Sequence, residues 1–139
     1  MHRRGFTGIE MVVALAITAI VAGTAVSALG SFAATFRLAT TVRTLAQTIR
    51  ETRARALAEG LPLEVRFDAD ARIWRVTTTS GTVRRWDPLP PSVRFVALPA
   101  RARIRFDATG EAENGTITVG ARAAVRRIVV NQRGRVRLG

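Results

Sequence analysis

Arg133, Arg135 and Arg137 occupy alternate positions near the C-terminus, and Arg101, Arg103 and Arg105 repeat the pattern earlier in the chain. In extended segments, alternate side chains stand about 6.6 Å apart on one face. A row of guanidinium groups at that spacing suits a phosphate backbone, with bidentate contacts that lysine would not make. Such contacts give affinity without sequence preference, and binding falls steeply with salt. Arg84, Arg85, Arg126 and Arg127 add to the same charge. The rows equally suit edge strands kept soluble by charge.

Catalytic chemistry has little to work with. The only histidine is His2, and the chain has no cysteine, lysine or tyrosine. Acid–base work would fall to carboxylates, and no pair of them shares an apolar neighbourhood. Asp68 and Asp70 beside Arg72 read as a solvated turn. Asp107, Glu111 and Glu113 have a spacing that fits no metal loop. We therefore expect no enzyme, no catalytic residue, no cofactor and no metal. Zero cysteines also exclude a disulfide framework and a thiolate metal site.

The chain has 139 residues, room for one domain beside an anchor. All 22 basic residues are arginine, against 10 acidic ones, a net charge of +12. Codon usage in a GC-rich genome accounts for the missing lysine but not for the charge excess. That excess points to an anionic partner such as nucleic acid, phospholipid head groups or an acidic protein surface.

The N-terminus reads Met1-His2-Arg3-Arg4-Gly5-Phe6-Thr7-Gly8-Ile9-Glu10 and is then uncharged from Met11 to Phe36. That run exceeds the roughly 20 residues a helix needs to cross a bilayer. A secretory signal peptide would be shorter and would end in a small-residue cleavage site. Glu10, at the edge of the apolar run, needs an interface, a partner or the helix dipole to offset its cost. Ala19, Gly23 and Ser27 form a small-residue stripe that permits close helix approach. Arg3 and Arg4 on one side and Arg37 and Arg43 on the other leave the orientation open to charge counting.

Leu38, Val42, Leu45, Ile49 and Ala56 continue at helical spacing, and Gly60 with Pro62 signals a stop. One helix is thus predicted from about Thr7 to Glu59. The period then changes to two. Strands are predicted at Leu63–Asp68, Arg72–Thr79, Thr82–Trp86, Val93–Ala97, Arg101–Phe106, Thr116–Val119, Val125–Asn131 and Arg135–Leu138. Turns are expected at Ser80-Gly81, Asn114-Gly115 and Arg133-Gly134, with Pro88, Pro90 and Pro91 as a stiff linker. The expected fold class is α+β, a long N-terminal helix packed on an antiparallel β-sheet.

Arg3-Arg4-Gly5, Phe6, Glu10 and the apolar helix together resemble the leader signal of the type IV pilin superfamily. The strand order and the tail Asn114-Gly115-Thr116-Ile117-Thr118-Val119 followed by Ile128-Val129-Val130-Asn131 resemble the minor pseudopilin H and FimT-like family. The resemblance implies a pilin-like fold and prepilin peptidase cleavage between Gly5 and Phe6. It also implies N-methylation of Phe6 and pairing of Glu10 with the N-terminal amine of a neighbouring subunit. The implied layout is a leader over residues 1–5, a transmembrane and assembly helix over 6–36, and a periplasmic domain over 37–139. The implied function is a minor pilin or pseudopilin that helps initiate or cap a type II secretion pseudopilus or type IV pilus. It would sit in the inner membrane with a single pass before joining the filament. Its partners would be other pilins, the peptidase, the assembly platform and, before assembly, membrane lipid. Gly134-Arg135-Val136-Arg137 is also similar to the Gly-Arg-x-Arg motif of FimT-like pilins that bind DNA during transformation. That makes Arg135 and Arg137 the core of a possible DNA contact.

Overall fold

Thr7 and Glu10 start the first helix. The Thr7 N–H and hydroxyl both donate to Glu10 Oε2, at 3.2 and 3.1 Å, so Glu10 satisfies an amide that the helix leaves unpaired. From there α1 spans Gly8–Glu59. It ends where Gly60 adopts φ 64° and the Leu61 N–H returns to the Ala56 carbonyl at 3.3 Å. This is the six-to-one closure of a helix C-terminus, for which glycine is suited because it has no Cβ. The computed structural model describes residues 7–139, except for the side chains of 24–29.

The chain divides into two compact units, the first ending at Ala33 and the second spanning Ala34–Gly139. In the first, Ile9, Met11, Val12, Val13, Leu15, Ile17, Ile20 and Val21 are all exposed. An all-round apolar helix surface of this kind needs lipid or protein around it. Among the described residues, no helix is long and apolar enough to cross a membrane. The expected 6–36 span lies partly outside the described residues, because Phe6 and the side chains of 24–29 fall outside them.

In the second unit, one face of α1 is apolar at the predicted spacing. Leu38, Val42, Leu45, Ile49 and Ala56 are buried with Ala34 and Ala46. Thr41, Thr48 and Thr52 are buried beside them, and each hydroxyl donates to the carbonyl four residues back. Their polar atoms are thus satisfied within the helix.

Eight strands follow: β1 (Leu63–Asp68), β2 (Ile73–Thr78), β3 (Val83–Pro88), β4 (Arg94–Ala97), β5 (Arg103–Phe106), β6 (Gly115–Ala121), β7 (Ala124–Val130) and β8 (Val136–Leu138). They form two antiparallel sheets rather than one, in the orders β3-β2-β1-β5 and β4-β6-β7-β8. The chain crosses between sheets after β3, β4 and β5. At the first crossing, Arg72 Nη2 donates to the carbonyls of Pro90, Pro91 and Val93, at 2.8, 2.9 and 2.7 Å. One hydrophobic cluster joins α1 to Leu63, Val65, Trp74, Val76, Ile104 and Phe106 of one sheet and Ile117, Val119, Ile128 and Val130 of the other.

Three sequence expectations need correction. Asn114-Gly115 is not a turn: Gly115 opens β6 opposite Val130. Its lack of a side chain serves packing, since a Cβ there would collide with the Ile104 Cδ1 and press on Pro99. The β6–β7 reversal, at which no turn was expected, occurs at Arg122-Ala123, where Arg122 adopts φ 52°. Finally, Arg101 and Arg135 lie outside the strands expected to begin with them, so β5 begins at Arg103 and β8 at Val136.

Because Leu45 is fully buried in the shared cluster, Leu45→Ala should lower the unfolding free energy by about 2–5 kcal/mol in denaturant titration. Arg55→Ala, on the exposed face, should stay within about 0.5 kcal/mol.

Candidate functional site

In an antiparallel ladder, directly paired residues point to the same face. The register of the second sheet pairs Arg94 with Gly120, Thr118 with Arg127, and Val129 with both Thr116 and Arg137. The Arg135 N–H donates to Asn131 Oδ1 at 2.9 Å, continuing the same face. Arg94, Arg127, Arg135 and Arg137 therefore share the outer face, and all four are exposed. Arg122 at the β6–β7 tip and Arg133 in the β7–β8 turn flank it, exposed as well.

No acid opposes this charge locally. From Asn114 to Gly139 the chain contains six arginines and no Asp or Glu. Among the described residues, none of Arg94, Arg122, Arg127, Arg133, Arg135 and Arg137 forms an ion pair. The face holds no aromatic side chain either, since Phe95 of β4 packs edge-on against Phe67 with ring centroids 5.7 Å apart.

The first sheet reverses this picture. Arg103, Arg66 and Arg75 lie in one row across β5, β1 and β2, and the row ends at exposed Trp86 on β3. Each of these arginines is committed to a carboxylate. Arg66 and Arg103 reach the buried Glu64 at 2.9 and 3.0 Å, and Arg75 reaches Asp68 at 3.0 Å. Glu113 adds contacts to Arg101 and Arg103 at 3.6 and 3.5 Å. The row expected at Arg101, Arg103 and Arg105 is thus not a free cationic stripe. Two of its three members are neutralised, and Arg103 is largely buried, with 17% of its side chain exposed. A guanidinium that holds a buried carboxylate cannot be released to a phosphate without stranding that charge.

Gly134 sets the position of the C-terminal arginines. It is buried with φ 69°, and a Cβ there would lie 2.6 Å from both Arg53 Cδ and the Gly110 carbonyl oxygen. Arg53 Nε donates to that same carbonyl at 3.0 Å, tying α1 to the 107–111 turn. Asp107 organises this turn. Its Oδ1 accepts from the Thr109 hydroxyl at 2.7 Å and from the Thr109 and Glu111 amides at 2.9 Å each. The Thr109 hydroxyl, followed by these amides, holds the Asp107 carboxyl below its ordinary range. A lowered carboxylate stabilises the fold above its ordinary pKa, and the benefit is lost as pH falls through the lowered value. Among the described residues, no His, Cys, Asp and Glu cluster could hold a metal ion.

At the other end of the chain, Glu10 is engaged by Thr7 of its own helix. Gly5 and Phe6 lie outside the described residues. The prokaryotic N-terminal methylation motif matches residues 1–26, and the family of the type II transport protein GspH matches residues 41–134, more than half of the chain. The chain belongs to the GspH family. It is a pilin-like minor pseudopilin, and its N-terminal motif implies prepilin processing and association with other pilins.

Solved structures agree on the fold of this GspH-family chain. The minor pseudopilin EpsH of the Vibrio cholerae type 2 secretion system has a TM-score of 0.61 at 15% identity, covering 73% of this chain and 95% of its own. The Pseudomonas aeruginosa type IV minor pilin FimU has a TM-score of 0.63 at 14% identity, covering 73% and 87%. No curated protein matches.

The structure brings Arg135 and Arg137 together with Arg127, but places Arg103 and Arg105 on the other sheet and Arg101 in the turn before it. Arg94 escaped the sequence reading because it has no alternating arginine partner. The readable signal was the acid-free stretch after Glu113. Gly134→Ala should lower the unfolding free energy by at least about 1 kcal/mol, from the left-handed backbone alone. Proteolysis should also report a loosened C-terminal tail.

Proposed function

We propose that this pseudopilin is a membrane-anchored precursor, cut between Gly5 and Phe6 and methylated on Phe6, that joins a type II secretion pseudopilus or type IV pilus. Residues 1–5 serve as leader, 6–36 as membrane and assembly helix, and 37–139 as the periplasmic domain. Its role is to help initiate or cap the filament, and its partners are other pilins, the prepilin peptidase, the assembly platform and, before assembly, inner-membrane lipid. The observation that carries this reading is one chain joining a methylation motif, an apolar exposed helix and a GspH domain. Glu10 is the assembly residue. Thr7 holds its carboxylate until a neighbour's N-terminal amine replaces the hydroxyl and amide, because a buried charge pair needs both members.

Co-expression with a prepilin peptidase should give an intact mass lacking Met1 to Gly5 and carrying one added methyl group. Glu10→Gln should be processed alike yet be missing from sheared filaments. An uncut chain, or normal incorporation of the variant, would overturn the reading.

A second reading is favoured by the outer face of the second sheet. Among the described residues these four arginines have no ion pair and no aromatic neighbour on the face, which suits the phosphate backbone of duplex DNA, as a DNA-uptake pilin would require. Single strands would lack the stacking platform they normally use. Duplex binding should weaken with salt with a log–log slope of about −3.6 for four phosphate contacts. Arg135→Ala/Arg137→Ala should reduce that slope by about 1.8. Binding that ignores both salt and the double variant would leave the arginines as surface charge.

A further inference from the structure

Strand β8 leaves one backbone edge unpaired. Arg127 and Gly139 exchange both hydrogen bonds, N to O at 2.9 and 3.0 Å, and the Asn131 amide donates to the Arg135 carbonyl at 3.2 Å. The alternation of an antiparallel ladder then turns the amides and carbonyls of Val136 and Leu138 away from β7. β8 is the last strand of its sheet, so among the described residues these groups meet no further strand.

Beside this edge, on its α1 side, run two hollows of about 420 and 350 Å³ that share Arg43 and Leu138. Leu138, paired with buried Ile128, faces α1 rather than the outer arginine face, and it is 48% exposed. Arg126 has the same parity, since it pairs with buried Val119, and it lines the second hollow with Ala39 and Val42. Gln47, Arg50 and Arg85 line the first. Its only acid is Glu51, 3.4 Å from Arg85. Among the described residues, Arg43, Arg50 and Arg126 form no ion pair.

We infer that the groove between α1 and the free edge of β8 docks an extended acidic peptide segment of a partner protein, added to β8 as a further strand. From Ala39 to Glu51 the helix rises about 18 Å at 1.5 Å per residue. That length matches five or six extended residues at about 3.3 Å each. The unpaired amides and carbonyls recognise a peptide backbone, which a phosphate backbone could not match because it has no donors. The side chains decide the composition: Arg43, Arg50 and Arg126 require carboxylates, while Ala39, Val42 and Leu138 accept small apolar groups. This surface lies on the opposite side of the second sheet from the DNA-facing arginines and does not depend on either functional reading above.

The test uses the full chain in detergent micelles and a fluorescein-labelled (Glu-Val)4 peptide, read by fluorescence anisotropy. Saturable binding is expected, at least tenfold weaker for a peptide N-methylated at alternate amides and for Arg43→Glu/Arg126→Glu. Arg94→Ala/Arg127→Ala, on the outer face, should bind within twofold of the parent. Circular dichroism checks that the reversal variant is folded, and Arg50→Glu, on the exposed face of α1, serves if it is not. Equal binding of the N-methylated peptide would reduce the effect to charge and overturn strand addition. Displacement of the peptide by duplex DNA, or no saturable binding, would overturn the docking site.

Discussion

Both sheets of the domain depend on one buried stripe of α1. Leu38, Val42, Leu45, Ile49 and Ala56 share a single cluster with the inner residues of the two sheets. A four-stranded sheet with one apolar face must cover that face to be stable, and helical packing is the available cover here. The stripe is therefore a joint constraint. A change that alters its volume is transmitted to both sheets at once, because close-packed interiors relax only partly. The polar threonines interleaved with it are tolerated because each hydroxyl is satisfied within the helix.

Around this shared core the charges are segregated. The first sheet and its turns hold carboxylates that neutralise their arginines, with Glu64 buried beneath Arg66 and Arg103. The second sheet has no acid in any strand, and among the described residues its outer arginines form no ion pair. The outer face of the second sheet thus carries positive charge with no acid in its strands, which raises the local potential and steers anions toward it. The same number of arginines spread evenly among ten acids would produce a much weaker field.

The helix was legible because its apolar period is long and its ends carry chemical signals: Thr7 with Glu10 at one, Gly60 with Pro62 at the other. The strands were legible by alternation, but their division into two sheets was not. Which strands pair is set by crossings such as that clamped by Arg72, a contact spanning many residues with no local signature. The Arg122-Ala123 turn was missed because it lacks the usual glycine or asparagine, the ladder itself imposing the strained conformation. Among the site residues, Arg135 and Arg137 could be read from their spacing. Arg101 and Arg103 were misread because alternation says nothing about whether carboxylates stand on the neighbouring strand. Glu64, the partner of Arg103, is on β1, far away in sequence, and Arg101 meets Glu113.

The Arg72 clamp has a further consequence. Pro90 and Pro91 have no amide hydrogens to offer a ladder, so the first crossing between sheets is held largely by a guanidinium reaching three carbonyls. Arg72 lies in the β1–β2 turn, whereas the three carbonyls it meets lie in the segment that leads into β4. The junction between the sheets therefore hangs largely on one side chain. The β1–β2 turn thus helps set where the second sheet begins, a link between the sheets that neither hydrogen-bonded ladder supplies.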